Sequence, residues 1–166
     1  RVRRQRQMCI RDRFHFSWGK CYLSPILDMN TNEIISYDFS MIPNLNQIKR
    51  MLNRAFKKFR NLQGLIMHSD QGWQYQHEYY RSELKKHGII QSMSRKGNCY
   101  DNSIMETFFG RMKNEMYYGS EKEYTSFKVF AKAVKEYIHD FNKERIQKKT
   151  KWMPPSKFRE ASMMEA

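Results

Sequence analysis

No stretch of this sequence approaches the roughly 20 consecutive apolar residues that a membrane-spanning helix needs. The charged N-terminus is not followed by the apolar run of a secretory signal. Neither a membrane partner nor export is therefore expected. Cysteine is scarce: Cys9, Cys21 and Cys99 form no Cys-x-x-Cys pair. An odd, scattered set reads as free thiols in a reducing compartment, not as a disulfide framework or a zinc site. Acids are few, 17 against 31 lysines and arginines. The net charge of +14 favours a polyanionic partner, with nucleic acid ahead of a membrane surface. Apolar side chains are plentiful, 40% of 166 residues, enough for one domain with a real core.

Residues 1–13, RVRRQRQMCIRDR, have no apolar period and hold six arginines against one acid. Back-translated, Arg3 to Arg13 resembles a widely used sequencing-library adapter read in frame. The segment is expected to be non-native and to stand outside the fold, with a genuine basic arm as the alternative. Without its six arginines and one acid the net charge falls from +14 to +9, which still favours nucleic acid.

From Phe14 onward the text becomes orderly. Residues 20–30 read as a strand interrupted at Pro25, which suggests an edge or a bulge. Residues 33–41 read as its antiparallel hairpin partner, with Asp28 as a turn cap. Leu45, Ile48, Met51, Leu52, Ala55, Phe56 and Phe59 recur at helical spacing. GLIMHSDQG (64–72) reads as a buried strand whose end carries His68, Ser69 and Asp70. A helix over 75–87 stops at Gly88, and a strand follows at 89–94. After the loop 95–102, Asp101, Asn102 or Ser103 can cap a helix running to about Tyr118. A last helix spans 126–143, striped by Phe127, Phe130, Ala131, Val134, Ile138 and Phe141. The order predicts a mixed sheet covered by helices.

On the 103–118 helix, Ile104, Phe108, Met112 and Met116 fall at steps of four and are expected to form the buried stripe. Glu106 lies elsewhere on the circumference. Lys113, nearly two full turns on, shares its face, and Asn102 points the same way if the helix starts there. Asp70 sits where a buried strand ends, a place where α/β folds commonly hold active sites.

HSDQG followed by GNCYDNSIMETFFGRMKNE, with 35 residues between Asp70 and Glu106, resembles the D,D-35-E core of insertion-sequence transposases. It is similar to the branch whose second reading frame encodes a retroviral-integrase-like catalytic domain. YLSPILDMNTNEIISYDFS and NKERIQKKTKWMPPSKFRE also resemble that family, so the similarity covers nearly all of 14–166. The resemblance implies an α/β, RNase H-like mixed sheet with helices on both faces. It divides the chain into an integrase core at 14–145 and a basic C-terminal tail at 146–166. It further implies a polynucleotidyl transferase of the DDE type, in which three carboxylates hold two Mg²⁺ or Mn²⁺ ions. Such ions serve in-line phosphoryl displacement. Asp70 and Glu106 would be catalytic metal ligands. Lys113 would contact DNA phosphate, with Asn102, Arg95 and Lys96 as further nucleic-acid contacts close to the site. Transposon ends and target DNA would be the partners, a homo-oligomer the active form, and the bacterial cytoplasm, in association with the nucleoid, the location.

One departure matters. The family's first acid lies four residues before the position of Phe14, and Ile10 stands there. Asp12, the nearest carboxylate, is two residues out of register, about 6.6 Å further along a strand. The chain as written is therefore expected to lack one ligand and to be inactive or nearly so. A non-catalytic DNA-binding remnant and a hydrolytic nuclease on the same fold are the alternative functions. Trp73, Tyr75, Tyr79 and Tyr80 could stack on bases, although helix packing is the commoner fate of such aromatics. Arg145, Lys148, Lys149 and Lys151 read as charge for the DNA backbone.

Overall fold

The computed structural model describes residues 6–95 and 102–164. A mixed sheet forms from β1 (Arg6–Cys9), β2 (Asp12–Phe16), β3 (Gly19–Asp28), β4 (Ile34–Ser40), β5 (Ile66–Ser69) and β6 (Ile90–Met93). β3 is antiparallel to β1, β2 and β4, while β1, β5 and β6 run parallel. The helices are α1 (Leu45–Lys58), α2 (Trp73–Gln76), α3 (Glu78–Lys86), α4 (Ser103–Met112), α5 (Phe127–Lys143) and α6 (Pro155–Met164). A π-helical turn, Lys113–Tyr117, prolongs α4.

Side chains that alternate along the strands feed two cores, one on each face. Met8, Phe14, Leu23 and Leu27 pack with Met105, Phe108, Phe130, Val134 and Ile138 of α4 and α5. Cys9, Ile26 and Met67 pack with Ile48, Met51 and Leu52 of α1 and with Tyr80 and Leu84 of α3. Helices therefore cover both faces, as expected.

Segment 6–13, expected to stand outside the fold, supplies β1 and the start of β2. β1 lies in the middle of the sheet between β3 and β5. Cys9 faces Ile26 and Asp12 faces Leu23, so β1 and β2 continue a single register along β3. Ile10 and Arg11 stand across from Pro25 and Ser24 without ladder pairing. Pro25 has no N–H to offer across that gap. Pro25 thus sits inside the sheet, not at its edge, and the β3–β4 ladder shifts register beside it, between Ile26 and Leu27.

The β3–β4 turn is held by Asp28, whose Oδ1 accepts the N–H groups of Asn30 at 2.9 Å and Thr31 at 3.0 Å. The expected 75–87 helix is two pieces, because His77 breaks α2 from α3 and its Nδ1 accepts the Tyr79 N–H at 3.1 Å. On α4 the buried stripe is Met105, Phe108, Phe109 and Met112, so the expected stripe of Ile104, Phe108, Met112 and Met116 is rotated. Ile104 and Met116 are only partly buried.

The C-terminal segment is more than a basic tail. After a 3₁₀ turn (Lys148–Thr150), α6 begins at Pro155, where a proline's missing N–H costs the helix nothing. α6 docks on the buried carboxylate of Glu33: Ser156 Oγ donates to its Oε1 at 3.0 Å and Arg159 pairs with its Oε2. Lys58 of α1 reaches the same carboxylate at 3.5 Å. Burial alone would raise the pKa of Glu33, but these partners outweigh it and hold the group below its usual value.

Candidate active site

Asp70 follows directly on β5 and is half-buried. Its Oδ1 accepts the Gly72 N–H at 2.8 Å. A Cβ on Gly72 would stand 2.9 Å from that oxygen and 2.8 Å from Gln74 Nε2, so the glycine lets this turn close. The neighbouring strand is tied in by Ser94, whose N–H donates to Ser69 O at 2.8 Å. Gln71 Nε2 donates to Ser94 O at 3.1 Å.

The start of α4 is anchored at the same end of the sheet. Asn102 Nδ2 donates to Ser94 Oγ at 3.3 Å. Asn102 occupies the N-cap position but makes no side-chain cap hydrogen bond. Its side chain is buried beside Ser94, just past β6. Glu106 itself is exposed in the first turn of α4. From there the helix runs toward β2, where Lys113 Nζ meets Asp12 Oδ2 at 2.8 Å and lies 5.3 Å from the Phe14 ring centroid. Arg95 is exposed just past β6, and Lys96 and Asp101 lie outside the described residues.

Arg11 carries no sequence signal for this site, because its segment is expected to stand outside the fold. Arg11 Nη2 donates to Gln74 Oε1 at 3.3 Å, and its guanidinium lies 5.7 Å from the Trp73 ring centroid. Burial lowers its pKa, opposed by the nearby Tyr75, Tyr22 and Asp70. Cys9, under the same strand end, meets Tyr80 Oη at 3.2 Å. Burial pushes its thiol up to about 12, and the Asp70 charge adds to that.

The remaining candidates divide by packing. Tyr75 and Tyr80 are core residues, whereas Trp73 is exposed. Tyr79 carries the Lys49 ammonium 4.5 Å above its ring. His68 Nδ1 meets Ser92 Oγ at 2.9 Å. Arg145, read as DNA-backbone charge, makes a two-pronged pair with Glu115 at 2.9 and 2.6 Å. That pairing holds the Glu115 carboxyl below its usual pKa, against the effect of burial.

These residues do not fit a pair of divalent ions. Among the described residues no three His, Cys, Asp or Glu side chains cluster to hold a metal. Ile10 is packed against the α4–α5 core. Asp12 is committed to Lys113 and to the Arg13 N–H, which its Oδ1 accepts at 2.8 Å. The Arg11 guanidinium, from the gap between β1 and β2, stands near enough to Asp70 for the two charges to interact.

A sheet of this topology between two helical layers, with acids at the end of β5 and in the first turn of α4, defines an RNase H-like integrase core. The chain belongs to the integrase core domain family: residues 3–99 match one model of that domain and residues 106–163 a second. It is 50% identical to a transposase-like protein of Haemophilus influenzae over 150 residues, 90% of this chain and 68% of the relative. It is 46% identical over 151 residues to InsK of Escherichia coli, named as a transposase for insertion sequence element IS150; the match covers 91% of this chain and 53% of InsK. The chain thus spans about half to two thirds of these relatives. In fold it is similar to the HTLV-2 integrase catalytic core domain in complex with magnesium. That similarity has a TM-score of 0.71 at 10% identity, over 92% of this chain and 94% of the other. No helix among the described residues is long and apolar enough to cross a membrane.

Proposed function

We propose that the chain is the core of a DNA transposase whose acid site is incomplete as written. The reaction of an intact site would be metal-dependent cleavage at transposon ends and transfer of the freed strand to target DNA. Asp70 and Glu106 are the two ligands this chain keeps. Lys113 and Arg95 supply positive charge for phosphate, and Lys96, outside the described residues, is assigned the same role from the sequence alone. Asn102 acts by fixing the start of α4 against β6 and not by touching DNA. A homo-oligomer on its DNA is the working form. A trimeric form is described for the HTLV-2 core.

The observation that carries this reading is the gap between β1 and β2. It lies next to the end of parallel strand β5, and Ile10, an aliphatic residue, fills the place where the resemblance demands an aspartate. An alkyl side chain offers no oxygen to a hard cation. The test is Mg²⁺-dependent end cleavage by the 166-residue chain and by its Ile10→Asp variant. No turnover is expected from the first and recovered turnover from the second. Robust cleavage by the unaltered chain that disappears in Asp12→Asn would sink the proposal. Simple nicking without strand-transfer products would favour a hydrolytic nuclease instead.

A further inference from the structure

A second hollow lies on α4 away from the acids. It holds about 480 Å³, within the range of roughly 300–1,000 Å³ typical of small-ligand pockets. Thr107, Phe108 and Arg111 of α4 form one wall. They lie about 100–200° round the helix from Glu106. Ile146 to Lys149, in the segment leaving α5, form the opposite wall, and Phe141 and Leu27 lie at the floor.

Three properties set this hollow apart. First, its rim carries Arg111, Lys148 and Lys149, and no carboxylate among the described residues lines it. Second, its wall is braced. Asn32 Nδ2 donates to Gln147 Oε1 at 2.8 Å, Lys149 Nζ donates to Met29 O at 3.0 Å, and Gln147 bridges Met153. Third, Gln147 Nε2 is buried without a hydrogen-bond partner among the described residues. A buried donor left unpaired costs free energy that a ligand acceptor would recover. Ile146, 59% exposed, adds apolar surface beside it.

A cationic rim, an apolar and aromatic floor and one orphaned donor match a nucleotide. The phosphate meets the rim, the base lies on the floor, and a ring nitrogen or carbonyl accepts from Gln147 once its amide, closed off from solvent, turns toward the base. Bases stacked inside a duplex cannot enter such a hollow, whereas those of a single strand can. We propose that this hollow holds one nucleotide of single-stranded DNA. The inference rests on the transposase reading but concerns a site separate from its acids.

The test is fluorescence anisotropy with a labelled 12-residue oligothymidylate and with a duplex of equal length, at fixed salt. Thr107→Trp, at an exposed position, plugs the hollow. It should weaken single-strand binding about tenfold, the scale of one lost stacked base, and leave duplex binding unchanged. The double variant Lys57→Ala, Lys132→Ala removes two exposed charges elsewhere and should affect both DNAs alike. An oligonucleotide carrying 5-iodouracil should photocrosslink within 104–111 or 141–149. Unchanged single-strand affinity in Thr107→Trp, equal losses for both DNAs, or crosslinks elsewhere would overturn the site. If Ile10→Asp cleaves while Thr107→Trp is silent, only the hollow fails. If the chain binds neither DNA, both readings fail together.

Discussion

Lys113 Nζ lies 2.8 Å from Asp12 Oδ2, and this contact joins the end of α4 to β2. The first carboxylate after the β1–β2 gap is thus already neutralised by the cation proposed for DNA. Asp12→Asn removes the acid and frees the ammonium. DNA binding should tighten, and the slope of log affinity against log salt should steepen by about 0.9, one more phosphate neutralised. Anisotropy titrations at several salt concentrations measure this. An unchanged slope would mean that Lys113 does not reach DNA.

Gly72 should be sensitive to a single methyl group. The Cβ of Gly72→Ala would fall within 3 Å of Asp70 Oδ1 and Gln74 Nε2, so these two side chains must swing aside and the Asp70 cap on the Gly72 N–H is strained. We expect a loss of about 1 kcal/mol in urea unfolding, the low end for an overpacked site, because the neighbours can move. In an Ile10→Asp background it should also lower cleavage, because Asp70 is displaced.

The motifs made part of this site legible, and physical reasons hide the rest. Asp70 and Glu106 could be named because their spacing is fixed along the chain. The orientation of Asn102 could not, since it depends on Ser94, a tertiary partner. Helix α5 was legible because only one side of it is apolar. Helix α4 carries the doublets Ile104–Met105 and Phe108–Phe109, so two stripes are equally apolar and packing decides between them. β1 reads Arg-Gln-Met-Cys, too short and polar to announce a central strand. Pro154 and Pro155 looked like breakers, yet the second opens α6.

Glu33 should make docking of α6 dependent on pH. Its folded pKa lies below the ordinary value of 4.5, so its contribution to stability is full above that pH. It is lost as pH falls through the lowered folded value. Protection factors across 155–164, which allow for the slower intrinsic exchange in acid, should therefore fall on acidification below about pH 4.5. Glu33→Gln should mimic that state at neutral pH and cost roughly 3 kcal/mol, since Arg159 and Lys58 lose their charge partner. Exchange in α6 that is indifferent to this change would refute the link.

Asn142 closes the outer edge of the sheet. Its Oδ1 accepts the Ile34 N–H at 2.8 Å and its Nδ2 donates to Ile34 O at 3.0 Å. Arg54 Nη1 donates to Tyr37 O further along the same strand at 2.7 Å. Asn142→Leu should cost about 2–4 kcal/mol, because two backbone groups of β4 lose their partner. It should also raise self-association, since an uncapped edge invites another strand. Urea unfolding and light scattering read the two effects separately.

The break opposite Pro25 divides the central strand into two halves, each with its own set of backbone bonds. Whatever precedes it needs only to alternate, with Met8 toward one helical layer and Cys9 toward the other, to complete the architecture. No ladder bond depends on the side chain at position 10. Assembly of the scaffold therefore exerts no proofreading over which side chain occupies that position, and architecture and chemistry at this point of the core are set independently.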